Sequence, residues 1–307
     1  MNRALFQIHL AVLLWGFTGV LGRAISLSAP VLVWYRMLLT AIILWAIVSI
    51  RREWRVYSRA DFRRVSGIGV MFAIHWVAFY GSVKLANASI AMICLATSSI
   101  FTALLDPLMN KGKFNNKEIF LSLLAVAGVF CIYFLQPSVT TSHSMPNFEW
   151  GVLLGLIASI ISAIFTVFNK PLTARYPARF LVFTEMGTGF LFLTLLAPFY
   201  IFYMPDEPLL PQNFDLLWLV LLAYCCTVWG QSLAMTALRT LSPFTISLSV
   251  NLEPVYGIVL AFLIYQENEQ LGYGFYLGMI LIFLSMILQV VLVMRQKRKA
   301  RLLALKA

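Results

Sequence analysis

The chain has 307 residues, of which 61% are hydrophobic and 11% are charged, and its formal net charge is +11. Soluble domains carry about 25% charged residues, so this composition argues against a water-soluble globular protein and against a disordered chain. The basic residues lie between long apolar runs, which argues against a nucleic-acid partner. Because a bilayer core of roughly 30 Å needs about 20 apolar residues per helix, the composition favours an all-α integral membrane protein with many spans.

Apolar runs that are bounded by charge, proline or glycine predict ten transmembrane helices. In chain order they are 4–25, 30–50, 65–83, 89–109, 118–135, 151–169, 180–204, 216–238, 243–266 and 272–294. The first run is too long for a cleaved signal peptide and has no clear cleavage site. We therefore expect it to stay in the protein as a helix.

The positive charges predict the orientation of these spans. If the amino terminus is cytoplasmic, 20 of the 23 Lys and Arg residues fall in cytoplasmic segments. Three predicted outer loops, at 136–150, 205–215 and 267–271, contain none of them. The three remaining basic residues are Arg23 and Lys84, at outer span ends, and Arg36, inside span two. The positive-inside rule therefore favours ten spans with both termini in the cytoplasm. The basic tail at 295–307 is also suited to contact anionic lipid headgroups.

The two halves of the chain resemble each other as an internal repeat. The turn at 84–88 aligns without a gap with the turn at 239–243, and Arg36 and Glu185 occupy corresponding places in spans two and seven. Because each half holds five spans, an odd number, the second half must run in the opposite direction. The sequence thus predicts two inverted five-helix repeats at 4–135 and 150–294, an architecture of secondary transporters whose substrate site lies near the bilayer midplane.

Short motifs add a family resemblance that extends over nearly the whole chain. They are Leu-Trp-Gly at 14–16, Asn-Leu-Glu-Pro-Val-Tyr at 251–256 and Tyr-Gln-Glu at 265–267. With the paired turns described above, the chain resembles the EamA family of ten-span permeases in the drug/metabolite transporter superfamily. The resemblance implies a bacterial inner-membrane protein that exports amino acids, drugs or other small metabolites.

Glu253 is the leading candidate for a functional residue. A charged side chain at the centre of a span costs about 2.5–3.5 kcal/mol on insertion scales, so it needs a partner or a wet cavity. Pro254 leaves the Val250 carbonyl without its helical donor and predicts a kink, while Ser249 and Tyr256 share the face of Glu253. We predict that Glu253 binds a substrate ammonium group or couples transport to protons. A carboxyl group that is simply held by a neighbouring helix is the alternative.

Polar and aromatic residues of other spans complete the predicted substrate site. His75, Trp76 and Tyr80 form a stripe on span three that suits substrate stacking and helix packing equally well. The predicted substrate-binding residues are Trp15, His75, Trp76, Tyr80, Ser98, Trp229, Gln231, Asn251, Glu253 and Tyr256. The roles of three further ionisable residues stay open, and we favour structural roles near the span ends for Arg36, Glu185 and Asp106. Asp106 has Lys111 as a candidate partner. Asn169 lies in span six, which is expected to meet span one near the same centre as Trp15, and a helix cap near the inner end is the alternative for it.

Signatures of catalysis and metal binding are missing from the sequence. Four cysteines, at 94, 131, 225 and 226, lack metal-ligand spacing, and three histidines, at 9, 75 and 143, form no paired motif. With no nucleotide-binding loop either, we predict a protein that is not an enzyme and has no metal and no cofactor. Its energy then comes from an ion gradient, a substrate gradient or exchange.

Two other classes of function stay open at this point. One is a membrane-embedded lipid-modifying enzyme or lipid translocator that uses Glu253 or His75, and the other is a scaffold without transport. Glycine pairs at 151/155 and 274/278 have the GxxxG spacing that is typical of close helix contacts, either within the bundle or in a homodimer.

Overall fold

The computed structural model describes residues 2–86, 88–110, 112–135, 147–253, 255–257, 260 and 273–304, and every regular element within them is helical. The α-helices are α1 (Asn2–Ala24), α2 (Ala29–Ile50), α3 (Arg59–Leu85), α4 (Ala88–Ala96), α5 (Ser98–Met109), α6 (Asn116–Phe134), α7 (Phe148–Thr173), α8 (Ala178–Tyr203), α9 (Asp215–Leu221), α10 (Gly230–Leu238), α11 (Pro243–Val250) and α12 (Tyr273–Ala304). A π-helical segment, Leu222–Trp229, joins α9 to α10.

The helices follow the apolar runs of the sequence closely. Six continuous helical stretches are long and apolar enough to cross a membrane: Arg3–Gly22, Ala29–Ile50, Arg59–Leu85, Glu149–Thr173, Ala178–Tyr203 and Asp215–Leu238. Two shorter apolar helices, Cys94–Met109 and Tyr276–Leu288, fall in predicted spans four and ten. The all-helical architecture is therefore confirmed for the described residues, whereas the number of ten spans stays a prediction. Several features on which the sequence prediction relied lie outside the described residues: Lys111, His143, Pro254, the motif at 265–267 and the loop at 267–271.

Polar side chains and prolines mark where several helices begin. Ser58 caps α3 by accepting a hydrogen bond from the Asp61 N–H (3.0 Å), and Ser242 caps α11 by accepting one from the Thr245 N–H (3.1 Å). Proline occupies the first turn of α2 and of α11, where its missing N–H costs nothing. These local signals fix the starts of α2, α3 and α11. The last helix continues to Ala304, ten residues into the predicted basic tail.

Predicted spans four and nine are interrupted helices. Thr97 separates α4 from α5, and its N–H donates to the Cys94 carbonyl (3.1 Å). After α11, the N–H groups of Asn251 and Leu252 likewise donate to carbonyls three residues earlier, at 3.2 and 3.1 Å. The shift that aligns the paired turns of the two repeats also places Thr97 on Leu252. Interruptions at corresponding positions of two repeats are a feature of transporter substrate sites.

Aspartate contacts join the two halves of the chain at each end of the bundle. Asp61, in the first turn of α3, accepts hydrogen bonds from Arg175 (3.1 Å) and from the Tyr176 phenol (2.9 Å). Asp215, the first residue of α9, accepts from the Ser26 N–H (2.9 Å) and hydroxyl (2.5 Å). The 22 residues of α2, about 33 Å at 1.5 Å per residue, separate these two places. We name them the Asp61 end and the Asp215 end.

The predicted small-residue pairs pack helices against one another inside the bundle. Gly155 of α7 lies against Cys94 of α4, and Gly278 of α12 lies against Gly128 of α6. The glycine four residues earlier in each pair lies against the residue that follows α3 or α6. The GxxxG spacing therefore serves contacts within this chain.

Two glycines of α8 allow a matched test of helix packing. A Cβ atom on Gly189 would lie 2.6 Å from the Gly69 carbonyl oxygen of α3, whereas a Cβ on Gly187 would meet nothing within 4 Å. We expect Gly189→Ala to destabilise the protein by about 1–3 kcal/mol, because the helices must move apart. Gly187→Ala should leave the thermal unfolding midpoint in detergent unchanged. Equal shifts in the two variants would contradict this account of the crossing.

Candidate substrate cavity

A cavity of about 90 Å³ lies in the centre of the bundle. Residues of both halves line it. The polar ones are Thr18, Arg36, His75, Ser162, Thr166, Asn169, Gln231, Ser247 and Glu253, and the aromatic ones are Trp15, Phe72, Trp76, Phe79 and Phe165. Pockets for drug-sized ligands measure about 300–1,000 Å³. In this conformation the cavity therefore fits only a small molecule or a few water molecules.

Arg36 provides the positive charge of the cavity and is only 2% exposed. Its Nε donates to Thr227 Oγ1 (2.9 Å), its Nη1 donates to the Tyr80 phenol (2.8 Å), and its guanidinium carbon lies 3.8 Å from the centroid of the Trp76 ring. Two of the five N–H groups of arginine are thus occupied, and the other three are suited to a ligand carboxylate. The interpretation of Arg36 as a residue of the membrane interface was wrong, because packing turns it toward the centre.

The π-helical segment positions the partners of Arg36. Its wider turn lets the Thr227 hydroxyl donate to the Leu222 carbonyl, five residues earlier, at 3.2 Å. The Trp15 indole N–H donates to the Cys226 carbonyl of the same segment (2.9 Å). Wide turns of this kind are frequent at functional sites. Here the turn fixes Thr227 beneath the guanidinium and holds Trp15 at the cavity wall.

Glu253 brings a carboxyl group to the same cavity and is 4% exposed. Its carboxyl group lies beside the Thr18 side chain and interacts electrostatically with Arg36. The Thr18 hydroxyl donates its one hydrogen to the Trp15 carbonyl. Glu253 follows directly after the turn at 251–252, so the interruption of span nine delivers its side chain to the centre.

His75 presents one ring nitrogen to the cavity in a defined state. Its Nδ1 lies 2.8 Å from the Ala158 carbonyl oxygen. Because a carbonyl can only accept, Nδ1 carries the hydrogen of this bond, and Nε2 is left as the second polar position of the ring. His75 thus adds a hydrogen-bonding position to the α3 side of the site.

The structure brings half of the sequence-predicted substrate residues to the cavity lining. These are Trp15, His75, Trp76, Gln231 and Glu253. Tyr80 is fully buried behind Arg36 and acts on its guanidinium rather than on the cavity. It remains part of the site as a support for the charge.

The remaining four predicted residues lie elsewhere. Ser98 is buried within α5, where its carbonyl accepts from the Thr102 hydroxyl, and the Asn251 amide donates to Ser99 (3.3 Å). Trp229 is 53% exposed on the outer surface of the bundle, and Tyr256 packs against α1. Helical spacing explains where Trp229 lies. Residues two positions apart on a helix point in directions that differ by about 200°, so Trp229 cannot share the face of Gln231.

The wall formed by α7 is the part of the site that the sequence interpretation missed. Its lining residues are Ser162, Phe165, Thr166 and Asn169. They are spaced at i, i+3, i+4 and i+7, which is one face of a helix, so the signal was present in the sequence. Asn169 is therefore a cavity residue rather than a helix cap.

The comparisons with known proteins agree with this arrangement. A model of the EamA-like transporter family matches residues 2–134 and, a second time, residues 149–291. The chain belongs to the EamA-like transporter family. No curated protein sequence matches it. Among the solved structures that match, one titled "Crystal structure of protein" is 16% identical in sequence, has a TM-score of 0.74 and covers 96% of this chain and 99% of its own, which shows the fold alone.

Membership of the EamA-like family makes the chain a multi-pass membrane transporter, and members of this family are transporters rather than enzymes. The two separate matches fit a two-repeat architecture, while the inverted orientation of the repeats stays a prediction. Among the described residues, no group of three or more His, Cys, Asp or Glu side chains could hold a metal ion. Asp106 of this EamA-like chain accepts a hydrogen bond from Asn110 (2.6 Å) and does not line the cavity.

Proposed function

We propose that this EamA-like protein is a secondary transporter that exports amino acids or related small metabolites across the bacterial cytoplasmic membrane by alternating access. The observation that carries the proposal is that Arg36 and Glu253 line the same central cavity. The two side chains interact without forming a direct ion pair in the described part of the chain. A zwitterion fits between them, because its carboxylate pairs with the guanidinium and its ammonium pairs with the carboxylate.

The free energy of burial favours such a substrate. Charged groups in a bundle interior are costly unless they are paired and hydrogen-bonded. A molecule that carries a carboxylate and an ammonium group a short distance apart can pair with the Arg36 guanidinium and the Glu253 carboxylate at the same time. The stacked rings of Phe72 and Phe165, whose centroids lie 3.9 Å apart, offer an apolar surface for the rest of the substrate. Direction of transport and membrane identity rest on the family resemblance alone.

A lipid translocator or lipid-modifying enzyme is the second candidate, and one feature favours it. A groove of about 600 Å³ between α2 and α8, lined by residues such as Trp34, Leu193 and Tyr200, is almost entirely apolar. It contains no charged side chain among its lining residues. The central cavity with its two opposite charges suits a small polar solute better than an acyl chain.

Counterflow in proteoliposomes tests the proposed function. We would reconstitute the purified protein into vesicles loaded with unlabelled amino acids, amines or nucleosides. Uptake of the matching labelled compound is then measured with and without a pH gradient. We expect accumulation of amino acids above the level in protein-free vesicles. Accumulation of none of these compounds by folded protein, together with movement of labelled lipid, would favour the second candidate.

A further inference from the structure

Glu185 of α8 is a second buried carboxyl group that lies outside the cavity lining. It is 0% exposed, and among the described residues neither of its carboxyl oxygens has a partner in hydrogen-bond geometry. Next to it lies the side chain of Asn169, which is 1% exposed and whose own amide oxygen is equally without a partner. Three unsatisfied oxygen atoms thus belong to two neighbouring side chains.

A proton on Glu185 accounts for all three of these atoms. The ionised carboxylate has no hydrogen to donate, so it leaves the Asn169 oxygen unsatisfied and is itself a buried charge, which costs several kcal/mol. The neutral acid can donate its O–H to that oxygen while the Asn169 N–H donates back to the other carboxyl oxygen. A cyclic acid–amide pair then satisfies every polar atom.

The groups around Glu185 do not supply a counterion. The helices packed against α8 are α2, α3, α7 and α10, and the phenol of Tyr57, before α3, interacts with the carboxyl group and bonds to Thr184 (3.1 Å). Burial raises the pKa of Tyr57, so the phenol is neutral. The charged side chains and the histidine of these helices, of α8 itself and of the helix ends have other partners or are exposed. They are Arg36, Arg51, Arg52, Glu53, Arg59, Asp61, Arg63, Arg64, His75, Lys84, Glu149, Lys170, Arg175, Arg179 and Arg239.

We propose that Glu185 and Asn169 form a proton-binding site that exchanges its proton against substrate. The proposal rests on the transport function proposed above and adds the coupling ion and its place. Asn169 lines the cavity, so a substrate group that bonds to its amide competes with Glu185. Glu185 then loses its acceptor and gives its proton to water, and the proton returns when the substrate leaves. Mutually exclusive binding of proton and substrate is the requirement for antiport.

The variant Glu185→Gln tests this site in proteoliposomes, with a ¹⁴C-labelled mixture of the protein amino acids as the probe. Glutamine keeps a donor for Asn169 but has no proton to release. We expect counterflow without a gradient to persist with a weaker apparent affinity for substrate, because the glutamine amide still competes for Asn169, and the additional accumulation driven by a pH gradient to be lost completely. Glu149→Gln, an exposed acid on α7, is the matched control and should keep the gradient response.

The remaining outcomes also decide the proposal. A full gradient response in Glu185→Gln overturns it, and loss of that response in Glu253→Gln alone would assign coupling to Glu253. The infrared band of a protonated carboxyl group gives a readout that needs no transport. This band should weaken in Glu185→Gln relative to wild type at neutral pH, and an unchanged band overturns the site even if the wild type transports nothing. Should Glu185→Gln fail to fold, Asn169→Ala must abolish proton release on addition of the amino-acid mixture.

Discussion

Counterflow of zwitterionic amino acids should fall about tenfold to a hundredfold in Arg36→Gln, because a hydrogen bond to a charged group contributes about 1.5–3 kcal/mol. The substitution removes the one cation that lines the cavity among the described residues. Arg36→Lys should recover only part of the rate, since an ammonium group cannot form the two parallel bonds of a guanidinium. Initial rates of labelled amino-acid counterflow give the measurement.

Two further variants separate the charge of Arg36 from its structural contacts. Tyr80→Phe removes one partner of the guanidinium but leaves the charge, and should reduce counterflow far less than Arg36→Gln. Glu253→Gln removes the opposite charge. Amines that lack a carboxylate should then inhibit amino-acid counterflow less strongly, whereas Arg36→Gln should leave their inhibition unchanged. Full gradient-dependent transport in Glu253→Gln would exclude Glu253 from both substrate binding and coupling.

Asp215→Asn and Asp61→Asn should open the cavity toward opposite ends of the bundle. Each aspartate lies in the first turn of the helix that contains the third predicted span of its repeat, and contacts the connection between the first two spans of the other repeat. Asp215 accepts two hydrogen bonds from Ser26. Weakening them should raise the fraction of molecules that are open at the Asp215 end by about tenfold. The effect of Asp61→Asn should be smaller, because the Arg175 side chain is 60% exposed and exposed ion pairs contribute little.

Accessibility of a cysteine in the cavity measures this shift. We would introduce Ser247→Cys, which lines the cavity, in a variant whose native cysteines are replaced by alanine. A membrane-impermeant maleimide is then added from one side of the vesicle at a time. Asp206→Asn, in an exposed loop, is the control. Faster labelling from the same side in both aspartate variants would refute opposite gates.

The helices were predictable from the sequence, and their interruptions were predictable only in part. The apolar run at 30–50 coincides with α2 because burial in a bilayer depends on length and composition, which a sequence states directly. Pro254 predicted a kink next to the turn at 251–252, whereas no proline or glycine marks the turn at Thr97. The π-helical segment is likewise stabilised by contacts with other helices, such as the bond from Trp15.

The sequence predicted how deep the site residues lie in their spans, but it predicted only in part which helix faces meet the cavity. Residues such as Glu253 and His75 could be placed near the middle of their spans by counting. Which face of a span meets the cavity depends on packing between helices, and this is why Arg36 was assigned to an interface and Trp229 to the cavity. The polar face of α7 shows that helical spacing could have identified Asn169 without a structure.

The interrupted helices also bear on how little backbone rearrangement transport requires. At Thr97 and at 251–252 the backbone N–H groups already donate to carbonyls three residues earlier instead of four. The two segments of a span can therefore change their angle without breaking a regular α-helical turn. We expect the two segments of each span to change their angle at this turn. A change in one segment then need not disturb the packing of the other, so the two ends of the bundle can open separately.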